Sequence, residues 1–114
     1  MMARWIAALV FACSCGTGMP ANCPADEPSS CPASAPSYTN DVAPLIQQYC
    51  VNQCHNPAGS ASTPLASWGA IHTDQQTVLD EIYSCMMPQA GAPVPTTAER
   101  VTLLTWFACG APNN

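Results

Sequence analysis

The stretch Tyr38-Thr39-Asn40-Asp41-Val42-Ala43-Pro44-Leu45-Ile46-Gln47-Gln48-Tyr49-Cys50-Val51-Asn52-Gln53-Cys54-His55 decides how this chain is read. Its first part has a helical period, with Val42, Leu45, Ile46 and Tyr49 at steps of three and four. Asn40 or Asp41 can cap that helix. Pro44 falls in the first turn, where the missing N–H costs little. The helix leads straight into Cys50. The hexapeptide that follows, CVNQCH, sets two cysteines and a histidine side by side.

Downstream, residues 56–63 have loop composition. Thr63-Pro64 starts a short turn carrying Leu65, Trp68 and Ile71. Thr73-Asp74-Gln75-Gln76 reads as a capping box. The helix after it should run to about Met86, with Val78, Leu79, Ile82, Tyr83 and Met86 on one side, and Pro88 ends it. A Pro/Gly loop spans 88–95. Thr96-Thr97-Ala98-Glu99 is a second capping box, opening a helix that ends at Cys109. Gly110 suits the left-handed residue just past that end, and Pro112 prevents continuation. No segment alternates with a period of two, and no internal repeat is visible. The expected fold class is all-α, with three to four short helices over residues 38–114.

Upstream, the chain changes character. Pro20, Pro24, Pro28, Pro32 and Pro36 recur at every fourth position. Each fixes φ and removes a donor, so residues 15–37 read as a stiff, partly extended spacer. Cys23 and Cys31 bracket its middle and are expected to close a small disulfide loop. Before it, Met1–Arg4 gives a positive start and Trp5–Ala12 an apolar run too short to span a bilayer. Residues 1–14 therefore read as a signal peptide of the lipoprotein type, with Cys15 or Cys13 as the lipidated residue. Ordinary cleavage near Ala21 is the other possibility.

The 114 residues allow one domain. Only 8% are charged, lysine is absent, and the formal charge is −5. Such a surface cannot neutralise a row of phosphates, which argues against nucleic acid as a partner. A protein with a basic docking face is the better match. Eight cysteines fit an exported chain. A folded part of this size needs staples.

The chemistry lies in CVNQCH and in Met87-Pro88. C-x-x-C-H is the attachment string of a c-type haem. Two cysteines reach the vinyl groups while the adjacent histidine faces iron. Here three residues intervene, so Cys50 and Cys54 are the expected thioethers and His55 an axial ligand, with Asn52 or Gln53 bulging outward. Pro88 pushes Met87 out of the helical region, so Met87 is the expected second axial ligand. Met86 lies on the helix's apolar face and reads as core filler. Two other readings use the same residues: a Cys50–Cys54 disulfide, and a zinc site from Cys50, Cys54, His55 and His72.

Residues 38–113 resemble a small class I c-type cytochrome, of the kind found in bacterial secreted lipoproteins. The residues that carry the likeness are Tyr38, Asp41–Ile46, Cys50, Cys54–Pro57, Leu65, Trp68, Met87-Pro88, Glu99-Arg100, Trp106 and Gly110–Pro112. The extra residue in CVNQCH is the departure. The resemblance implies a fold around one covalent haem c, thioethers at Cys50 and Cys54, and axial ligation by His55 and Met87. It also implies that the first and last helices cross near Trp106. Cys85 and Cys109 each end a predicted helix and are expected to pair. Trp68 is a candidate donor to a haem propionate, or else a core aromatic. On this reading the protein is an exported monohaem electron carrier and not an enzyme. It would be a monomer, lipid-anchored in the periplasm or cell envelope, working with redox proteins. The rival is a haem-free, disulfide-stapled interaction module derived from the same fold.

Overall fold

The computed structural model describes residues 23–114. The expected signal peptide and the candidate lipidation sites Cys13 and Cys15 lie outside the described residues. Four helices form the fold, and no strand occurs among the described residues. None of these helices is long and apolar enough to cross a membrane.

Helix α1 is built from three consecutive turns, Tyr38–Val42, Ala43–Ile46 and Gln47–Val51. The outer two are wide, with hydrogen bonds five residues apart, such as Val42 N–H to Ser37 O (3.1 Å) and Asn52 N–H to Gln47 O (2.9 Å). The cap is Ser37, not Asn40 or Asp41. Its hydroxyl accepts from Asn40 N–H, and its own N–H donates to Asp41 Oδ2 (2.7 Å). Asn114 satisfies two further amides at this end: its Oδ1 accepts from Tyr38 N–H (2.7 Å), its backbone oxygen from Thr39 N–H (2.9 Å).

Helix α2 spans Trp68–Thr73, α3 Gln75–Tyr83 and α4 Thr97–Ala108. Ser67 caps α2. The capping box expected at Thr73 does not form. Thr73 is the last residue of α2, and its hydroxyl donates back to Gly69 O (2.8 Å). Helix α3 also stops earlier than expected, at Tyr83, and Cys85 turns the chain with φ +61°. The second capping box is present in full: Thr96 Oγ1 accepts from Glu99 N–H while Glu99 Oε2 accepts from Thr96 N–H. Gly110 takes the left-handed conformation at the end of α4 (φ +85°).

The core joins Val42 and Ile46 of α1, Ile71 of α2, Val78 and Ile82 of α3, and Leu103, Leu104, Trp106 and Phe107 of α4. Trp106 is fully buried, 5.7 Å from the Tyr38 ring, and donates to Pro112 O (3.0 Å). Helices α1 and α4 approach most closely at Tyr38–Val42. At the other end the Tyr49 side chain reaches across, its hydroxyl donating to Glu99 Oε2 (2.8 Å).

Residues 23–37 are extended, as their prolines require, but the part from Cys23 is no free spacer. The expected pairs Cys23–Cys31 and Cys85–Cys109 are not formed. The same four cysteines pair as Cys23–Cys85 and Cys31–Cys109. The strap lays Cys23 against the turn after α3 and Cys31 against the end of α4 instead of closing on itself. Asp26 adds an ion pair to Arg100 (2.8 Å). Residues 23–37 are therefore part of the folded unit, a strap laced over the helices. Two disulfides across such long intervals belong to an oxidising compartment.

Candidate cofactor site

The C-terminal end of α1 delivers Cys50, and the turn after it brings His55 back over that residue. Cys54 N–H and His55 N–H both donate to Cys50 O (3.0 and 2.9 Å). The His55 bond spans five residues. A wide turn takes up the residue that CVNQCH has in excess of C-x-x-C-H, as single wide turns in helices do at functional sites. Asn56 and Ala61 fasten the following loop: Asn56 Nδ2 donates to Val51 O (2.5 Å) and Ala61 N–H to Cys54 O (3.2 Å). Gly59 lies directly on Cys54. A Cβ there would sit 2.0 Å from Cys54 O, so only glycine fits without backbone movement.

The loop ends by orienting the histidine. His55 Nδ1 lies 2.8 Å from Thr63 O. A carbonyl can only accept, so Nδ1 is the donor in this contact and Nε2 is the nitrogen turned away from it. A histidine ligand is commonly oriented by such a bond from its other ring nitrogen.

Two cavities flank Cys50. One, of about 310 Å³, is bounded by His55, Thr63 and Leu65 on the loop side and by Val78, Glu81 and Ile82 of α3. The other, of about 360 Å³, opens between Tyr49, Ile82 and α4, with Arg100 and Leu103 on its wall and Pro24 and Asp26 of the strap across it. Cys50, Ile82 and Met87 line both, so the two adjoin across these side chains and together make up the crevice. His55 and Met87 both line the smaller cavity, where the sequence reading expects an axial pair. Met86 lines neither half.

Cys50 and Cys54 are both free, so the Cys50–Cys54 disulfide is not formed. Burial, with Cys54 as a second and smaller cause, pushes the Cys50 thiol up to about 11. It is therefore a neutral thiol at the crevice wall. Cys54 is partly exposed and lines neither cavity. Among the described residues no three His, Cys, Asp or Glu side chains gather as a metal site, so the zinc arrangement is not formed. His72 lies instead against Trp68, ring centres 4.5 Å apart. Of the two roles open to Trp68, its position matches the core aromatic: it is partly buried and packs against the core. Its indole N–H donates to Ala111 O (2.9 Å), and it lines neither cavity, which makes it a brace between α2 and the end of α4.

Thr63, Gly59, Asp26 and Arg100 shape the site without having been legible as site residues. Comparison with family models, with curated proteins and with solved structures returns no match.

Proposed function

We propose that the crevice holds one covalently attached haem c and that the protein is an exported carrier of single electrons. The observation that supports this best is the shared space between His55 and Met87, with Cys50 on its wall and His55 Nδ1 bonded to Thr63 O. The donor chemistry of the lining fits the group: the His55 imidazole, the Met87 thioether and the Cys50 thiol, with the free Cys54 thiol four residues on for a second link. When bound, haem would supply the iron that cycles between two oxidation states. The chain's own part is to hold its axial ligands, to keep water from an apolar crevice and to tie the group at Cys50 and Cys54. Two protein ligands would fill both axial positions, which suits electron transfer and leaves no open site for a substrate. Thioether ligation by Met87 raises the potential.

Export follows from the apolar N-terminal run and the two disulfides. We place the mature protein in the periplasm or cell envelope, anchored by a lipid on Cys15 or Cys13. Arg100 is the one Lys or Arg of residues 23–114 and is paired with Asp26. The outer surface is thus acidic, and the redox partners should present basic faces. The test is a pair of variants. Met87→Ala should lower the reduction potential and open ferrous iron to carbon monoxide, whereas Met86→Ala should do neither. Equal effects of the two, or none from Met87→Ala, would reject the axial assignment.

A further inference from the structure

Three tethers converge on the short stretch Ile82–Met87. Arg100 of α4 donates from Nη1 to Ile82 O (2.5 Å) and from Nη2 to Tyr83 O (3.0 Å), two carbonyls at the end of α3. Cys85, in the left-handed region, is bonded to Cys23. Met87 N–H donates to Glu81 O (2.9 Å).

The strap enters this cluster twice within four residues. Cys23 makes the covalent link. Asp26 takes the Arg100 fork from the other side, Oδ2 from Nε (2.8 Å) and Oδ1 from Nη2 (3.0 Å). Both side chains are largely buried, 13% and 16% exposed. Such a two-pronged, charge-assisted pair is geometrically specific. Here it orients a guanidinium whose remaining donors go to the turn that leads into Met87.

We infer that Arg100, set by Asp26 and the Cys23–Cys85 link, is a positioning residue for Met87, and that the strap is a clamp on the methionine side of the crevice. The purpose of the clamp rests on the haem reading above; its existence does not. A ligand held by one backbone turn needs outer groups that fix it, and these are the groups that touch that turn.

The test compares wild type with Arg100→Lys and Asp26→Asn in the whole purified protein. A lysine keeps the charge beside Asp26, but one ammonium cannot serve the carboxylate and both carbonyls in the same planar fork. Amide exchange is read at Met87 and at His55, together with carbon monoxide binding to ferrous protein. The inference predicts that Met87 exchanges about tenfold faster or more in Arg100→Lys. Carbon monoxide access should rise in parallel, with the His55 amide unchanged. Asp26→Asn should shift the same readouts in the same direction by less. Should Arg100→Lys fail to fold, Asp26→Asn decides alone. Unchanged Met87 exchange in a folded variant would overturn the clamp. A wild type without thioether ligation, but with Met87 exchange that still responds to Arg100→Lys, would sustain the clamp and remove the axial role of Met87.

Discussion

The two sides of the crevice are built by opposite means. The His55 side is local. The hydrogen bonds described for it join residues no more than eight apart: Cys54 and His55 to Cys50, Asn56 to Val51, Ala61 to Cys54, His55 to Thr63. It contains the two free cysteines. The Met87 side is assembled from distant pieces. Cys23–Cys85 spans 62 positions and Asp26–Arg100 spans 74. Among the described residues, the four oxidised cysteines belong to the strap and to the helix ends it reaches. The cross-links thus lie where local bonding is weakest, and the locally bonded side keeps its thiols. On the proposed reading that division has a purpose, since Cys50 and Cys54 must stay reduced until haem is attached.

The largest effect should come from cutting the long-range side. Replacing Cys23 and Cys85 together with Ser removes a loop closure worth about 4 kcal/mol by the chain-entropy account. Denaturant unfolding should show a loss of that order. Amide exchange should quicken first around Met87 and last around His55. Simultaneous loosening of both sides would erase the distinction. Gly59→Ala attacks the local side. The added Cβ meets backbone rather than a flexible side chain, so the loop must move, at about 3 kcal/mol, the upper end for overpacking. Protection at His55 and Ala61 should fall while that at Met87 holds.

A smaller effect is expected at the start of α4, beside the Met87 half of the crevice. Thr96→Ala removes one arm of the capping box and should cost about 1 kcal/mol. Glu99 supplies the other arm. Its carboxyl is held below the ordinary range, first by the backbone N–H of Thr96 and then by the Tyr49 hydroxyl. A lowered folded value means stability that is present above the unfolded value and lost as pH falls through the folded one. Acid titration of wild type should therefore show a loss below about pH 4.5 that Glu99→Gln lacks. An identical acid limb in the variant would show that the box carries no pH dependence.

What could be read from the sequence follows the same division. The Thr96–Glu99 box and Gly110 are short patterns whose geometry is fixed within a few residues, and both take the expected form. Thr73 misled because a capping box and a hydroxyl bonded back to Gly69 look alike in sequence; the difference is which helix the residue belongs to. The disulfide partners were not legible. Spacing along the chain carries no information on which helix end an extended strap will meet, and six cysteines allow fifteen pairings. Trp68 was open to two readings, propionate donor or core aromatic, because its acceptor, Ala111 O, is a carbonyl 43 positions away. Arg100 was named only within the Glu99-Arg100 pair; its two carbonyl acceptors and its tie to Asp26 are tertiary facts.

The central claim is that a covalent haem occupies the crevice, tied at Cys50 and Cys54 and ligated by His55 and Met87. Acid–acetone extraction of protein purified from an envelope fraction tests it most directly. The account predicts that the haem absorbance stays with the denatured chain, and that replacing Cys50 and Cys54 together with Ser releases it. A colourless wild-type protein, or one that gives up all its haem to the solvent, would contradict it.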